Sequence, residues 1–259
     1  MALDLTRYAD IGYRTQGSAL DDPADERLSR KWQVAIGYRI FANQRWGQMG
    51  DGHITARDPE RLDHFWVLAH GIPFGEATVH NLSLVGPDGV VVEGPDTNGI
   101  NTAAYNIHQP ILAARPDVIS AAHTHTSFGT PWSANVTPFR ALSQESCTFV
   151  FDQSIYQGED LEIYNTDGGA AIAEAMGDTS LCILRNHGLL TAGVSPAEAV
   201  GLFVTAERVA EVHVKAPMGK AVGDEASKQV ASHIAESDVG WKSFQWLART
   251  IVPDPSVVL

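Results

Sequence analysis

The apolar positions along this chain change period several times, and each change marks an element. Over residues 25–41 they fall at Leu28, Trp32, Val34, Ala35, Tyr38 and Ile40, the pattern of an amphipathic helix, and the first fifty residues as a whole read as helical. A glycine-rich turn, Gly47-Gln-Met-Gly-Asp-Gly52, then enters a short strand at His53-Ile-Thr-Ala-Arg57. Residues 65–69, 82–85 and 90–92 are apolar runs of strand length, the last two joined by a Gly86-Pro-Asp-Gly89 turn. Helical spacing returns at Thr102, with Ala104, Tyr105, Ile107, Ile111 and Leu112 apolar. It stops near Arg115, because Pro116 disfavours helical geometry in its predecessor. Residues 118–122 predict a strand and 149–151 another. A helix capped by Asp167 or Gly168 runs to Met176 and is stopped by Gly177. Residues 179–184 form a buried strand. Ser195-Pro196-Ala-Glu198 is a capping box with proline at the first helical position, opening a helix to about Lys215.

The strands before Thr102 follow one another as a meander within one sheet rather than alternating with helices. This predicts an α/β chain forming one domain over residues 1–259, with a core at about 25–215 and a helical extension at 216–259. In that extension 216–225 is a loop, and helices around Trp241, Phe244 and Trp246 fold over the body or a neighbouring subunit.

Composition narrows the partners. The chain has 259 residues, 44% hydrophobic and 19% charged, as an ordinary globule does, and a formal net charge of −13. That charge repels nucleic acid and anionic membranes as main partners, while a bound cation would still dominate its own local field for a small anionic substrate. No apolar run reaches membrane-spanning length and the N-terminus lacks a basic segment followed by an apolar one, so a cytoplasmic protein is expected. Cys147 and Cys182 are too few for a disulfide framework and read as buried thiols.

The candidate chemistry lies in Ala122-His123-Thr124-His125-Thr126 and in Arg185-Asn186-His187-Gly188-Leu189-Leu190. Residues two apart on an extended strand share a face, so His123 and His125 can point at one spot. A third histidine from a separate strand end would give three neutral nitrogen ligands with positions left open for water or substrate, the arrangement of a catalytic metal site.

These motifs, with Ala113-Ala-Arg115-Pro-Asp117 ahead of them and Gly52-His53-Ile-Thr-Ala-Arg57-Asp-Pro59 and His70-Gly71 in the first half, resemble the class II aldolase/adducin family over roughly residues 25–215. The resemblance implies a three-layer α/β/α fold with a central, mainly antiparallel sheet. It also implies a divalent metal (Zn, Fe(II), Mn or Co) on His123, His125 and His187, and a homotetramer. The family's sugar-phosphate aldolases carry a glutamate acid/base where this chain has Ala104, which can neither move a proton nor bind a cation. Their phosphate pocket is also replaced: His53 stands for an asparagine, His70 for a threonine, and Thr102 and Ala103 for a serine pair. A phosphorylated sugar is therefore not the expected substrate. Asn98-Gly-Ile-Asn101 and Ser143-Gln-Glu-Ser146 are similar to the adducin-like branch, which includes oxygenases of aminocoumarin antibiotic pathways acting on a prenylated hydroxyphenylpyruvate.

Four further residues are candidates for catalysis. His53 and His70 would bind a substrate carboxylate or support the ligands, while Gln144 and Glu145 fall where family aldolases supply a catalytic tyrosine from the neighbouring subunit. His108, one helical turn after Ala104, can face the site. Asn186 orients the His187 turn, and Glu198, Glu207 and Arg208 read as a solvated helix face. The expectation is a metal-dependent lyase acting beside a carbonyl, by aldol cleavage or decarboxylation of a non-phosphorylated 2-oxo or hydroxy acid through a metal-bound enolate. The alternatives are a non-haem Fe(II) oxygenase on a 2-oxo acid or aromatic substrate, and a non-catalytic adducin-like interaction module.

Overall fold

The computed structural model describes residues 20–95 and 99–259; the expectations for the first nineteen residues and for Asn98 lie outside them. Eight strands, β1 (Gly52–Arg57), β2 (Phe65–Leu68), β3 (Leu82–Val85), β4 (Val91–Glu93), β5 (Ser120–Thr124), β6 (Gln153–Tyr156), β7 (Leu181–Leu184) and β8 (Gly188–Gly193), form one sheet. Their order is β4-β3-β2-β1-β5-β8-β7-β6. The first half is the expected meander, and β6 with β7 is the parallel pair in an otherwise antiparallel sheet. The helices are α1 (Pro23–Asn43), α2 (Thr102–Ala114), α3 (Gly129–Ser133), α4 (Thr166–Met176), α5 (Pro196–Lys215), α6 (Asp224–Ala235) and α7 (Val239–Ile251). Among the described residues no helix is long and apolar enough to cross a membrane.

Alternation along the strands sorts the core into two layers. Ile54, Ala122 and Leu189 pack with Tyr38 and Phe41 of α1, Val200 and Phe203 of α5, and Trp241 and Phe244 of α7. Val67 and Leu190 pack on the opposite face with Ala104 and Ile107 of α2 and Ile172 of α4. The result is three-layer α/β/α, as expected. Two helix pairs meet backbone to backbone through glycine. A Cβ on Gly201 of α5 would lie 1.9 Å from the Gly240 carbonyl oxygen of α7, and one on Gly169 of α4 would lie 1.8 Å from that of Asn106 in α2. The C-terminal helix is therefore seated on this chain's own core, with Trp246 standing 74% exposed on its outer side.

Three local expectations are corrected. Residues 149–151 are not a strand: a 3-10 turn at Glu145–Thr148 drops Phe149 into the core, and pairing starts at Gln153, opposite Leu181. The cap of α4 is Asn165, whose side chain accepts from the Gly168 N–H, rather than Asp167 or Gly168. Glu207 is not on a solvated face. It is 5% exposed and accepts from Thr126 Oγ1 at 2.7 Å, Phe128 N at 3.0 Å and Gly129 N at 2.6 Å. Burial pushes its carboxyl up, against the pull of those donors. Helix α5 is wrapped by the sheet, α3 and α7, so a position that sequence spacing places outside meets the loop after β5. Its neighbour Arg208 does face water. Both cysteines are buried free thiols, and burial holds that of Cys182 at about 11.

The segment Arg57-Asp58 anchors the first half of the sheet. Asp58, 0% exposed, accepts from Arg27 Nε at 2.6 Å, Trp66 Nε1 at 2.9 Å and the N–H groups of Glu60 and Arg61. Burial alone would raise its carboxyl, but these donors, Arg27 foremost, hold it well below the usual range. A depressed carboxyl contributes stability above its unfolded value of about 3.9. That contribution disappears as pH falls through the folded value. Asp58→Ala should lower stability by about 3 kcal/mol at pH 7, because Arg27 and the indole N–H lose their acceptor. Urea melts of both proteins should converge as pH drops below about 4.

Candidate metal centre

The site is set at the middle of the sheet. His123 lies in β5, paired in register with His53 of β1 and Leu190 of β8. His125 follows one residue beyond the strand end. His187 sits in the tight turn between β7 and β8, where Asn186 takes a left-handed φ of 57°, which asparagine tolerates better than most side chains.

Two of the three imidazoles are turned by a backbone carbonyl on the outer nitrogen. His123 Nδ1 is 2.7 Å from the Leu189 carbonyl and His187 Nδ1 is 2.8 Å from the Leu161 carbonyl, so each donates there. Both therefore carry the lone pair on Nε2, and these two nitrogens face each other at 3.1 Å. Two bare nitrogens so close repel unless a cation lies between them. Two zinc–nitrogen bonds of about 2.0–2.1 Å at a tetrahedral angle set their nitrogens roughly 3.4 Å apart. His125 completes the set, the three ligand atoms lying within 4.8 Å of one another. Its Nδ1 is 3.7 Å from Asp51 Oδ2, and its backbone N–H is held by the Asp51 carbonyl at 3.2 Å. Burial and the neighbouring imidazoles drive His123 well below the ordinary histidine value; burial lowers His187 as well. Neutral imidazole is the form a metal requires.

His53 and His108 extend the cluster. His53 is 2% exposed, with its ring centroid 5.1 Å from that of His123. His108 Nε2 lies 2.8 Å from His53 Nδ1, and His108 Nδ1 lies 2.8 Å from Thr55 Oγ1. Burial pushes His108 down to about 3 and His53 well below its ordinary value. Ala104 is fully buried in the apolar layer beneath.

A cavity of about 330 Å³ opens beside His53, walled by Tyr38, Val67, Leu68, Phe74 and the Gly47–Gly52 turn, with His70 and Asn101 at its polar side. Among the described residues no lysine or arginine lines it. His70 is exposed, its backbone N–H bonded to the Gly99 carbonyl. Gln144 is exposed, and Glu145 faces Arg208 at 3.5 Å; Glu145 does not join the trio's facing atoms.

Sequence reasoning missed Asp51 and Thr55. Asp51 had a signal, a carboxylate between the glycines of the turn that feeds β1. Thr55 had one in its spacing, two residues after His53. The carbonyls of Leu189 and Leu161 leave no trace in side-chain identity.

The model of the Class II Aldolase and Adducin N-terminal domain matches residues 33–214. The chain is 32% identical over 269 aligned positions to a 4-hydroxy-3-prenylphenylpyruvate oxygenase/4-hydroxy-3-prenylbenzoate synthase of Streptomyces roseochromogenus, covering 99% of this chain and 94% of the relative. It is 33% identical to Decarboxylase NovR of Streptomyces niveus, covering 95% and 92%. Among solved structures, the L-fuculose 1-phosphate aldolase of Glaciozyma antarctica superposes with a TM-score of 0.83 at 28% identity, covering 94% and 95%. The chain belongs to the class II aldolase and adducin family.

Proposed function

We propose that this protein is a divalent-metal-dependent enzyme that breaks a carbon–carbon bond beside the carbonyl of a non-phosphorylated 2-oxo or hydroxy acid. The observation that carries the reading is the pair of Nε2 lone pairs of His123 and His187 facing each other at 3.1 Å, with His125 beside them. A bound divalent ion would supply a Lewis acid that draws electron density from the carbonyl as the bond breaks. Scission between C3 and C4 of a 2-oxo acid, by retro-aldol cleavage or by loss of a C4 carboxylate, leaves its electron pair delocalised onto that oxygen. The chain's own residues hold the substrate: the apolar wall of Tyr38, Val67, Leu68 and Phe74 takes its body and excludes water. His53 and His70 offer polar contacts to its acid end. The absence of lysine and arginine among the described residues of the cavity lining supports a substrate without a phosphate dianion.

A second reading, a non-haem Fe(II) oxygenase using O₂ as oxidant on an aromatic 2-oxo acid, is favoured by the name of the Streptomyces roseochromogenus relative and by the aromatic wall of the cavity. Iron, zinc, manganese and cobalt all accept imidazole nitrogen, and the trio distinguishes among them by neither charge nor number. An adducin-like module without catalysis would not need three converging imidazoles, two of them with the outer nitrogen fixed by a carbonyl. A homotetramer belongs to the same reading: Leu161 and Tyr164, 66% and 77% exposed, lie on the segment that holds His187.

Protein purified without oxygen should carry one divalent ion per chain by elemental analysis, and His125→Ala should lose it; full metal retention would sink the ligand set. With a panel of 2-oxo acids, product without oxygen uptake supports the lyase, and uptake that depends on substrate and iron supports the oxygenase. His53→Ala should raise KM for an acidic substrate about tenfold with metal content unchanged. Loss of metal in that variant would make His53 a fourth ligand. Light scattering should read four subunits.

A further inference from the structure

Thr55, His108 and His53 form one buried chain ending beside the candidate metal. Thr55 and His53 lie two apart on β1, so both side chains leave the same face, and α2 lays His108 across them. Thr55 and His108 are 0% exposed and His53 is 2% exposed. The two links are each 2.8 Å long.

Such a chain can run in two directions, and the hydroxyl decides between them. A neutral imidazole has one N–H donor and one acceptor nitrogen. Among the described residues the Thr55 hydroxyl has His108 Nδ1 as its partner and no other. Were it to accept from Nδ1–H, its own hydrogen would point into the dry core with nothing to receive it. When it donates, no hydrogen is stranded in the core, and the one left free lies at the cavity end of the chain. Thr55 O–H goes to His108 Nδ1, His108 Nε2–H goes to His53 Nδ1, and His53 is left with its proton on Nε2. That nitrogen has no partner within the described chain, and His53 is among the residues that line the cavity. His53 also stands outside the group of mutually facing ligand atoms.

We propose that Thr55 and His108 are positioning residues that lock His53 as an Nε2–H donor toward a substrate oxygen beside the metal, so that His53 is neither the base nor a fourth ligand. The site thereby sorts its histidines by tautomer. His123 and His187 keep hydrogen on Nδ1 and aim a lone pair inward, whereas His53 aims a hydrogen inward. A fixed donor at that place stabilises the charge that gathers on the substrate oxygen as the bond breaks, without adding charge of its own. The role rests on the metal-centre reading; the direction of the chain does not.

The test is a two-bond ¹H–¹⁵N correlation on the full chain, labelled with ¹⁵N-histidine and loaded with zinc. His53 and His108 should show protonated Nε2 and bare Nδ1. His53 with its proton on Nδ1 overturns the relay. Trio nitrogens that do not shift on zinc addition overturn the metal reading instead, and His53's pattern still decides the relay. Thr55→Val should turn His53 into a mixture of tautomers at unchanged zinc stoichiometry, and Thr55→Ser should restore the single pattern. An unchanged His53 in the folded valine variant overturns Thr55 as the director. If the valine variant does not fold, the wild-type spectrum decides alone. With oxalate as probe, zinc-loaded His53→Phe should bind about tenfold more weakly. Equal binding overturns the donor role.

Discussion

The pairing of β5 with β1 on one side and β8 on the other is the constraint on which the rest of the site depends. All five β5 residues are buried, so the register that sets His123 opposite His53 and Leu190 is fixed by both neighbours. A slip of one residue would exchange the layers. His123 would enter the apolar layer around Tyr38 and Phe203, and Ala122 would face α2. The ladder continues past the strand end, where the Asp51 carbonyl accepts from both Thr124 Oγ1 at 2.7 Å and His125 N. Glu207 then holds the next turn through Thr126, Phe128 and Gly129. His125 is thus placed by backbone clamps on either side of it rather than by its own ring alone.

The charge balance of the site follows from its burial. An ionised carboxylate beneath the trio would carry a desolvation cost of several kcal/mol, repaid only by a cation against it. Ala104 removes that group, and one helical turn later His108 supplies polarity without charge. In the proposed reading, the ion therefore keeps its full charge for the substrate's oxygens. An ion held there would let a chain of net charge −13 attract an acid: the distant carboxylates are screened within about one Debye length, and the local field would be that of the ion.

What the sequence made legible were features with a period or a punctuation mark. Helix α5 was announced by Ser195-Pro196 and Glu198, α2 by its apolar spacing and Pro116, and the hairpin of β3 and β4 by Gly86 and Gly89. Strand β8, with the sequence GLLTAG, has small residues and no alternation, and only its pairing to β5 and β7 makes it a strand. Residues 149–151 had strand composition but serve as a core plug, because Phe149 finds a buried place that a strand would deny it. The histidine trio was legible by spacing and resemblance. The carbonyls that orient it were not, since any side chain at 161 or 189 presents the same acceptor. Glu207 was misread for a related reason: helical spacing says which face a residue occupies, not how many neighbours surround the helix.

Substrate selection is best understood by joining the cavity to the tautomer relay. The described residues lining the pocket include no lysine or arginine to grip an acid by ion pairing, and in the proposed reading the metal performs that task. The remaining choice is then made by shape against Tyr38 and Phe74 and by the one hydrogen that His53 directs inward. In that reading, His53 and His70, standing where the resemblance implies an asparagine and a threonine of a phosphate pocket, act in two ways. They take away small donors that suit a phosphate dianion, and His53 becomes a rigid ring whose donor direction is set from behind by Thr55. The proposed shift from phosphorylated to unphosphorylated substrates would then need changes at β1, at the turn after β2 and at α2. The β1–β5–β8 register, which carries the proposed ligands, would not have to move.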